Sequence, residues 1–413
     1  MLPVTAWELS RQWVNFDMSE RAFLPFALPY IGQEEIDEVV DSLRSGWITT
    51  GPKTKQFEED FAAYLGVEYC IAVNSATAGL HLALECIGVE AGDKIITTPY
   101  TFTATAEVIR YLGADPVFID IDRDTCNISP SAIERHLECL SSAERRRIKA
   151  ILPVHFAGQA CDMDSICDLA DRFDLRVIED AAHALPSTYN KRMIGTIGDI
   201  TVYSFYVTKT LATGEGGMIV TAREKWARRM EVMRLHGINR DVFGRYTSRH
   251  PSWYYEVVAL GYKYNMPDIA AAIGIHQLRR VDTFRERRWA IARRYSEGLQ
   301  GLPMRLPVSV RPDDIHAWHL YVIQLELEQL TIDRDRFIEL LSEQGVGTSV
   351  HFIPLHLHPY WRKRYGFAAD DFPVARDVYS RAISLPIYPA MSDADVERVV
   401  EAVRNVAEMY GSG

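Results

Sequence analysis

Nowhere in its 413 residues does the chain carry an uninterrupted apolar run near the ~20 residues that a membrane-crossing helix needs. Paired cysteines are missing as well. Cys70, Cys86, Cys126, Cys139, Cys161 and Cys167 contain no Cys-x-x-Cys pair, which argues against a disulfide framework and a zinc site and fits reduced thiols in a cytosol. There is no excess of positive charge: 45 Lys and Arg stand against 56 Asp and Glu, a net charge of −11, without the basic face of a nucleic-acid binder. The short basic clusters, Arg145-Arg146-Arg147 and Arg285 to Arg294, read as solvated helix faces. The start, Met1-Leu-Pro-Val-Thr-Ala-Trp-Glu8, lacks the basic beginning and apolar centre of a secretory signal. No internal repeat and no low-complexity linker is visible. The expectation is a cytoplasmic chain with no membrane and no nucleic-acid partner, and residues 1–20 receive no role.

What is present is ordinary globular composition, 47% hydrophobic and 24% charged, in a chain long enough for two domains. From residue 69 to 221, β-rich runs alternate with amphipathic stretches: Tyr69–Val73, Lys94–Thr98, Pro116–Asp120, Lys149–Val154, Arg176–Asp180, Ile200–Phe205 and Gly217–Thr221, with helix-like segments such as Ala76–Ile87 and Met163–Phe173 between the earlier ones. Near-continuous apolar strands separated by helices predict an α/β fold, a mostly parallel seven-stranded sheet covered on both faces. Ligands of such sheets bind beyond the carboxyl ends of the strands. Past Pro267 the pattern changes: Asp268 is placed to cap one long helix towards Leu299, and a strand at His319–Leu327 and helices at 333–344 and 393–410 follow. The expected division is an N-terminal segment 1–30, a large domain 31–266 and a smaller α+β domain 267–413.

The candidate chemistry lies at those strand ends. Ser204-Phe-Tyr-Val-Thr-Lys209 leads into the glycine-rich Gly214-Glu-Gly-Gly217, and Arg176-Val-Ile-Glu-Asp180-Ala-Ala-His183 ends an apolar run in an acid. A lysine able to form a Schiff base, with an aspartate able to hold a pyridinium nitrogen, is the minimal equipment of a pyridoxal 5′-phosphate (PLP) enzyme. In that reading Lys209 binds the cofactor, and its released amine then shuttles a proton at the reacting carbon. Asn74-Ser75-Ala76-Thr77, where a strand gives way to a helix, reads either as a phosphate cradle or as an ordinary Ser/Thr cap. Phe102 is either a stacking face for a pyridine ring or a core side chain. Ser204 has a hydroxyl to offer a phosphate, and His183 either contacts the ring's phenolic oxygen or is a satisfied histidine at a helix start. His356 and His358, spaced to share one face of a strand, raise a metal site that no cysteine or paired carboxylate supports; the expected metal is none. His316 and His319 stay ambiguous.

With these motifs, Ser45-Gly-Trp-Ile-Thr-Thr-Gly-Pro52, Pro153-Val-His-Phe-Ala-Gly158 and Gly261-Tyr-Lys-Tyr-Asn-Met266, the chain resembles the DegT/DnrJ/EryC1/StrS sugar aminotransferases of PLP fold type I, from Leu24 to Val406. The resemblance implies Lys209 as Schiff-base lysine, Asp180 as pyridinium partner, Phe102 as stacking residue, and Ala76, Thr77 and Ser204 at the phosphate. It also implies a homodimer in which Asn265 reaches the cofactor phosphate of the neighbouring subunit. Where the family commonly has Asn-x-Arg, this chain has Lys263-x-Asn265, an amide and a cation in swapped places. Within the family, Gly-Trp-Ile-Thr-Thr-Gly-Pro, the Lys263-Tyr-Asn265 variant and His316-Ala-Trp-His319-Leu are most similar to C4 aminotransferases of nucleotide-linked 4-keto sugars, of the UDP-4-amino-4-deoxy-L-arabinose type. The implied reaction moves an amino group from L-glutamate, released as 2-oxoglutarate, to a UDP- or dTDP-linked keto sugar. Its rivals are amination at C3 and a non-catalytic regulator on the same fold. A sugar dehydratase is disfavoured, because those relatives carry histidine where this chain has Lys209.

Overall fold

The computed structural model describes residues 23–239 and 254–412; residues 1–20, left without a role above, lie outside them. The strands, in chain order, are β1 (Tyr69–Val73), β2 (Lys94–Thr97), β3 (Asp115–Phe118), β4 (Ile148–Ile151), β5 (Arg176–Asp180), a small hairpin β6 (Thr188–Tyr189) and β7 (Arg192–Met193), then β8 (Ile200–Ser204) and β9 (Gly217–Thr221). Seven of them form one sheet in the order β1-β9-β8-β5-β4-β2-β3. Only β9 runs against its neighbours.

Strand pleating sends alternate residues to opposite faces, and here each face has its own core. Ile71, Val73, Ile178, Val202 and Ile219 pack with the helix Ala76–Cys86. Cys70, Ala72, Val177, Tyr203 and Val220 pack with the helices Pro52–Leu65 and Met163–Phe173. Apolar residues on both faces explain why the strands read as continuous apolar runs.

A second, antiparallel sheet joins β10 (Met304–Arg305), β11 (Tyr321–Leu325) and β12 (Ala382–Leu385). Its core takes in Ile291 and Tyr295 from the helix Val281–Gly298, Phe337 and Leu341 from Arg334–Glu343, and Val399 and Val403 from Asp393–Met409. Leu24 joins this core, and its backbone pairs with Gly345 and Gly347.

The structure differs from expectation around Pro267. The single long helix is two, Asp268–Arg279 and Val281–Gly298, interrupted at Arg280. Ala271, Ile275, Leu278 and Val281 pack with Phe57 and Phe61, so the two cores divide past residue 267, within Val281–Gly298. Asp268 does not cap its own helix through its side chain. Its buried carboxylate accepts from Gly51 N (2.7 Å), Lys53 N (3.1 Å), Thr54 N (3.0 Å) and Thr54 Oγ1 (2.7 Å), and so caps Pro52–Leu65 across the molecule. The orphan N–H groups of one helix are answered by an acid from another. Asp268→Ala is expected to cost about 3 kcal/mol of stability, with Asp268→Asn recovering part of it, as read from urea unfolding midpoints.

Candidate active site

The carboxyl ends of β1 and β8 and the amino end of β9 meet at Gly217, which pairs with both Val73 and Ser204. β1 gives way directly to the helix Ala76–Cys86, whose cap Ser75 accepts from Ala78 N at 3.1 Å. That leaves the first-turn N–H groups of Ala76 and Thr77 without intrahelical partners. A Cβ on Gly217 would lie 2.8 Å from Ala76 N and 2.9 Å from the Ser75 carbonyl carbon, so only glycine allows this approach. Ser204 Oγ accepts from Tyr206 N at 3.3 Å and keeps its O–H to donate. Cap and cradle, posed as alternatives by the sequence, coexist: Ser75 caps, and its neighbours offer an anion two amides and a hydroxyl.

Asp180 ends β5 beside Val202 of β8. It accepts from Thr105 Oγ1 at 2.8 Å and Ala182 N at 3.1 Å, and Thr105 is linked in turn to Thr101 at 2.8 Å. Burial raises its carboxyl above the usual aspartate range, against the pull of those hydrogen bonds and of the Lys209 charge. A buried carboxylate in this state favours a cationic N–H partner.

Lys209 sits in the loop between β8 and β9. Phe205 N bonds to Gly216 O and Thr213 N to Phe205 O, both at 2.9 Å, and Lys209 N to Tyr206 O at 2.8 Å. Burial lowers its ammonium to about 8; the Asp180 charge opposes this and Arg288 adds to it. At pH 7 roughly a tenth of such a lysine is free amine, against about one in three thousand for an ordinary one. The sign is clear: the neutral amine is the nucleophile, so cofactor uptake by the apoprotein is expected to accelerate as pH rises, levelling off just above 8 rather than above 10. Stopped-flow absorbance across pH 6–10 measures it.

His183 Nδ1 accepts the Ala157 N–H at 3.3 Å, which leaves the ring's proton on Nε2. Burial first, then the Lys209 and His351 charges, hold it well below the usual histidine range, so it stays neutral. Its ring stacks on Phe352 (centroids 5.8 Å, 22°). Phe352 also touches Phe102 at 6.3 Å. Phe102 is 61% exposed, which removes the core reading and leaves its ring open to a flat partner.

Asn265 bridges to Val73 in its own chain. Its Nδ2 donates to Thr50 Oγ1 at 2.6 Å and its Oδ1 accepts from Lys263 Nζ. It thus flanks the cradle at the outer edge of the sheet. His356 and His358 do not share a strand: Leu355–Leu357 is a 3₁₀ turn, His356 Nε2 bonds to Ala369 O at 3.2 Å, and His358 precedes the helix Pro359–Tyr365. Among the described residues no three His, Cys, Asp or Glu side chains gather as a metal site.

Several residues of this region carried no role in the sequence reading. Thr105, in the first turn of the helix Ala104–Tyr111, supports Asp180, and Thr101 in the preceding bend supports Thr105. His155, at a strand end in the sequence, turns away from the site. Its Nε2 meets Glu179 Oε2 at 2.9 Å with both side chains fully enclosed, and Glu179 also accepts from Thr201 and Gly198. Adjacent acids on a strand face opposite sides, so Glu179 could not share the site of Asp180.

A cradle that a Cβ would fill, a partly neutral lysine, a buried acid lacking a full counter-charge, a neutral histidine and an open aromatic face fit PLP group by group. Fold and site together define a PLP-dependent aminotransferase of fold type I. The chain belongs to the DegT/DnrJ/EryC1/StrS aminotransferase family, whose model matches residues 29–404. It is 50% identical over 387 residues to the spore coat polysaccharide biosynthesis protein SpsC of Bacillus subtilis, covering 94% of this chain and 97% of that one. The PMP form of Spr1654 from Streptococcus pneumoniae superposes with a TM-score of 0.85 at 33% identity, covering 94% and 99% of the two chains; a PLP form of the same protein is also solved. PseC of Helicobacter pylori, an aminotransferase involved in the biosynthesis of pseudoaminic acid, gives a TM-score of 0.85 at 27% identity, covering 94% of this chain and all of that one.

Proposed function

We propose that this aminotransferase moves the amino group of L-glutamate to the 4-keto carbon of a nucleotide-linked sugar, in a homodimer with shared sites. The carrying observation is Lys209 in its closed loop, electrically coupled to Asp180, beside the Gly217 cradle. The likeness to SpsC, named for spore coat polysaccharide biosynthesis, and to Spr1654, described as a sugar aminotransferase, supports a sugar acceptor. The residues assigned above divide the work as follows. Ala76 and Thr77 N–H groups and the Ser204 hydroxyl hold the cofactor phosphate, Phe102 covers the ring, Asp180 keeps a proton on the ring nitrogen, and the His183 Nε2–H binds the ring oxygen. When bound, PLP supplies the electron sink for the carbanion formed at the donor's Cα. Lys209 Nζ removes the Cα proton of the donor, and in the second half delivers one to the carbon being aminated. Support for a homodimer comes from the exposed apolar side chains near the site, among them Tyr206 and Leu260, and from the position of Asn265 and Lys263 at the sheet edge. The expected large unit of about 31–266 carries the cofactor residues, and its core extends in packing as far as Val281.

The test uses the holoenzyme. L-Glutamate should shift its visible absorbance with release of 2-oxoglutarate, and a 4-keto sugar nucleotide should reverse the shift and yield the 4-amino sugar, identified by NMR. Exclusive use of 3-keto sugars from the same panel, or no response to either, would sink the reading.

A further inference from the structure

His155 and Glu179 touch neither cofactor nor substrate in the assignment above, yet the polar atoms of both side chains are all spent within one enclosure. Neither side chain is exposed. His155 Nε2 meets Glu179 Oε2 at 2.9 Å, and His155 Nδ1 accepts from Cys161 N at 3.0 Å. A backbone N–H can only donate, so Nδ1 is bare and the single ring proton sits on Nε2, facing the carboxylate. Burial opposes a second proton on the ring and Cys161 and Glu179 favour one, but the Cys161 N–H occupies the place it would take. Glu179 Oε1 accepts from Gly198 N at 2.8 Å and from Thr201 Oγ1 at 2.7 Å. Burial would raise this carboxyl; the three hydrogen bonds hold it below the usual glutamate range. A Cβ on Gly198 would lie 2.8 Å from Glu179 Oε1 and 3.1 Å from Val177 O, so the turn before β8 is built around the carboxylate.

The clasp ties the end of β4 to β5 and β8 directly behind the cofactor contacts. Asp180 N donates to Pro153 O at 2.9 Å and its carbonyl accepts from His155 N at 3.1 Å, so the residue that bonds Glu179 also frames the backbone of Asp180. Two residues on, Ala157 N donates to His183 Nδ1. Ala157 has φ +58°, in the left-handed region that residues with a Cβ avoid. Such a conformation persists only where its surroundings impose it. Here Asn127 Oδ1 takes the Phe156 N–H and His155 Nδ1 takes the Cys161 N–H, pinning the loop at both ends. We infer that His155 and Glu179 are positioning residues that together fix both ring contacts, Asp180 at the nitrogen and His183 at the oxygen. The inference rests on the reading of those two residues as contacts of the PLP ring. His155 has two half-tasks: Nε2–H holds β5 through Glu179, and Nδ1 holds the loop that aims Ala157 N–H at His183.

The experiment uses wild type, His155→Asn and His155→Gln as holoenzymes loaded with PLP carrying ¹⁵N in its ring. It records the ring-nitrogen NMR signal, amide hydrogen exchange over 156–161 and the rates of both half-reactions. Asn Oδ1 can take the Cys161 N–H but falls short of Glu179, whereas Gln can donate to Glu179 and leaves the loop amide unanswered. The nitrogen signal should therefore move towards that of unprotonated pyridine further in His155→Asn than in His155→Gln. Exchange in the loop should accelerate in His155→Gln and hold in His155→Asn. Both variants should lose rate on the order of 10-fold in both half-reactions, with half-saturating concentrations within about 2-fold, because the ring contacts are misplaced and the substrate contacts are not. Wild-type nitrogen signals and rates in folded variants, or a loss confined to one half-reaction, would overturn the inference. Should neither variant fold, Thr201→Val decides, since it keeps the imidazole and removes one donor from Glu179: a smaller shift of the nitrogen signal in the same direction is expected, and a wild-type signal would overturn the inference. An unprotonated ring nitrogen in the wild-type holoenzyme would instead overturn the reading of Asp180 itself.

Discussion

Lys209→Ala is expected to lower amination by at least about 10⁴-fold and to abolish the visible band of the lysine-bound cofactor, with the fold intact. The magnitude combines loss of a covalent anchor with loss of a positioned acid–base group, the latter alone worth roughly 10²–10⁴-fold. The fold should survive because the loop is closed by backbone bonds, Phe205 N to Gly216 O and Thr213 N to Phe205 O, which do not involve the side chain. Removing a buried cation also removes a desolvation cost, so a melting temperature equal to or above that of the wild type is expected in the apoprotein. Added primary amines should restore a part of the rate, because the cavity left by the side chain admits a small base. The measurement pairs absorbance spectra with single-turnover rates. A variant retaining more than about 1% of the rate would show that another group moves the proton.

How far the sequence revealed this site depends on whether local or distant contacts position each residue. Asp180, Ser204 and Lys209 were legible because a strand end and a glycine-rich turn determine them within a few residues. The β-runs were legible because a sheet buried on both faces needs continuous apolar strands, and the observed strands differ from the expected ones mainly at their ends. The side on which a residue emerges was harder to read. His155 stands at a strand end in the chain, yet it turns to the enclosed Glu179 because Asn127 and the 156–160 loop fold over the site side: Asn127 accepts from Phe156 N and donates to Gln159 O and Ala160 O. Phe102 gave no sign of its exposure, since nothing local says whether another element covers it. The cap supplied by Asp268 links Gly51 with a helix more than two hundred residues later, and local periodicity carries no trace of such a contact. The same holds for Arg288, which sat in what reads as a solvated basic face but turns inward because three carbonyls of distant turns converge on it. The break at Arg280 likewise reflects tertiary demand: Arg280 bonds to the buried Glu35, and that contact fixes where the first helix must stop.

Asp180→Asn is the second large effect expected, a loss of about 10²–10³-fold in both half-reactions with little change in stability. The substitution keeps shape. Asn Oδ1 can still accept from Ala182 N, and the Thr101–Thr105 hydroxyl pair, in which either oxygen can donate, can reverse so that Thr105 accepts from the new amide. What disappears is the negative charge. An amide cannot keep a proton on a pyridine nitrogen, and losing one partner of a buried charge pair is worth about 3–5 kcal/mol, which corresponds to the loss stated. Because Asp180 serves the ring rather than either substrate, donor and sugar halves should slow by the same factor and half-saturating concentrations should hold nearly constant. Thr105→Val tests the support one step further out. It removes a single hydrogen bond from Asp180 and raises its carboxyl further, so the rate should fall a few-fold at pH 8 and more steeply as pH drops and the carboxyl takes up a proton. Equal losses at all pH values in Thr105→Val would show that the hydroxyl merely fills space, and a loss in Asp180→Asn confined to one half-reaction would move Asp180 from the cofactor ring to a substrate.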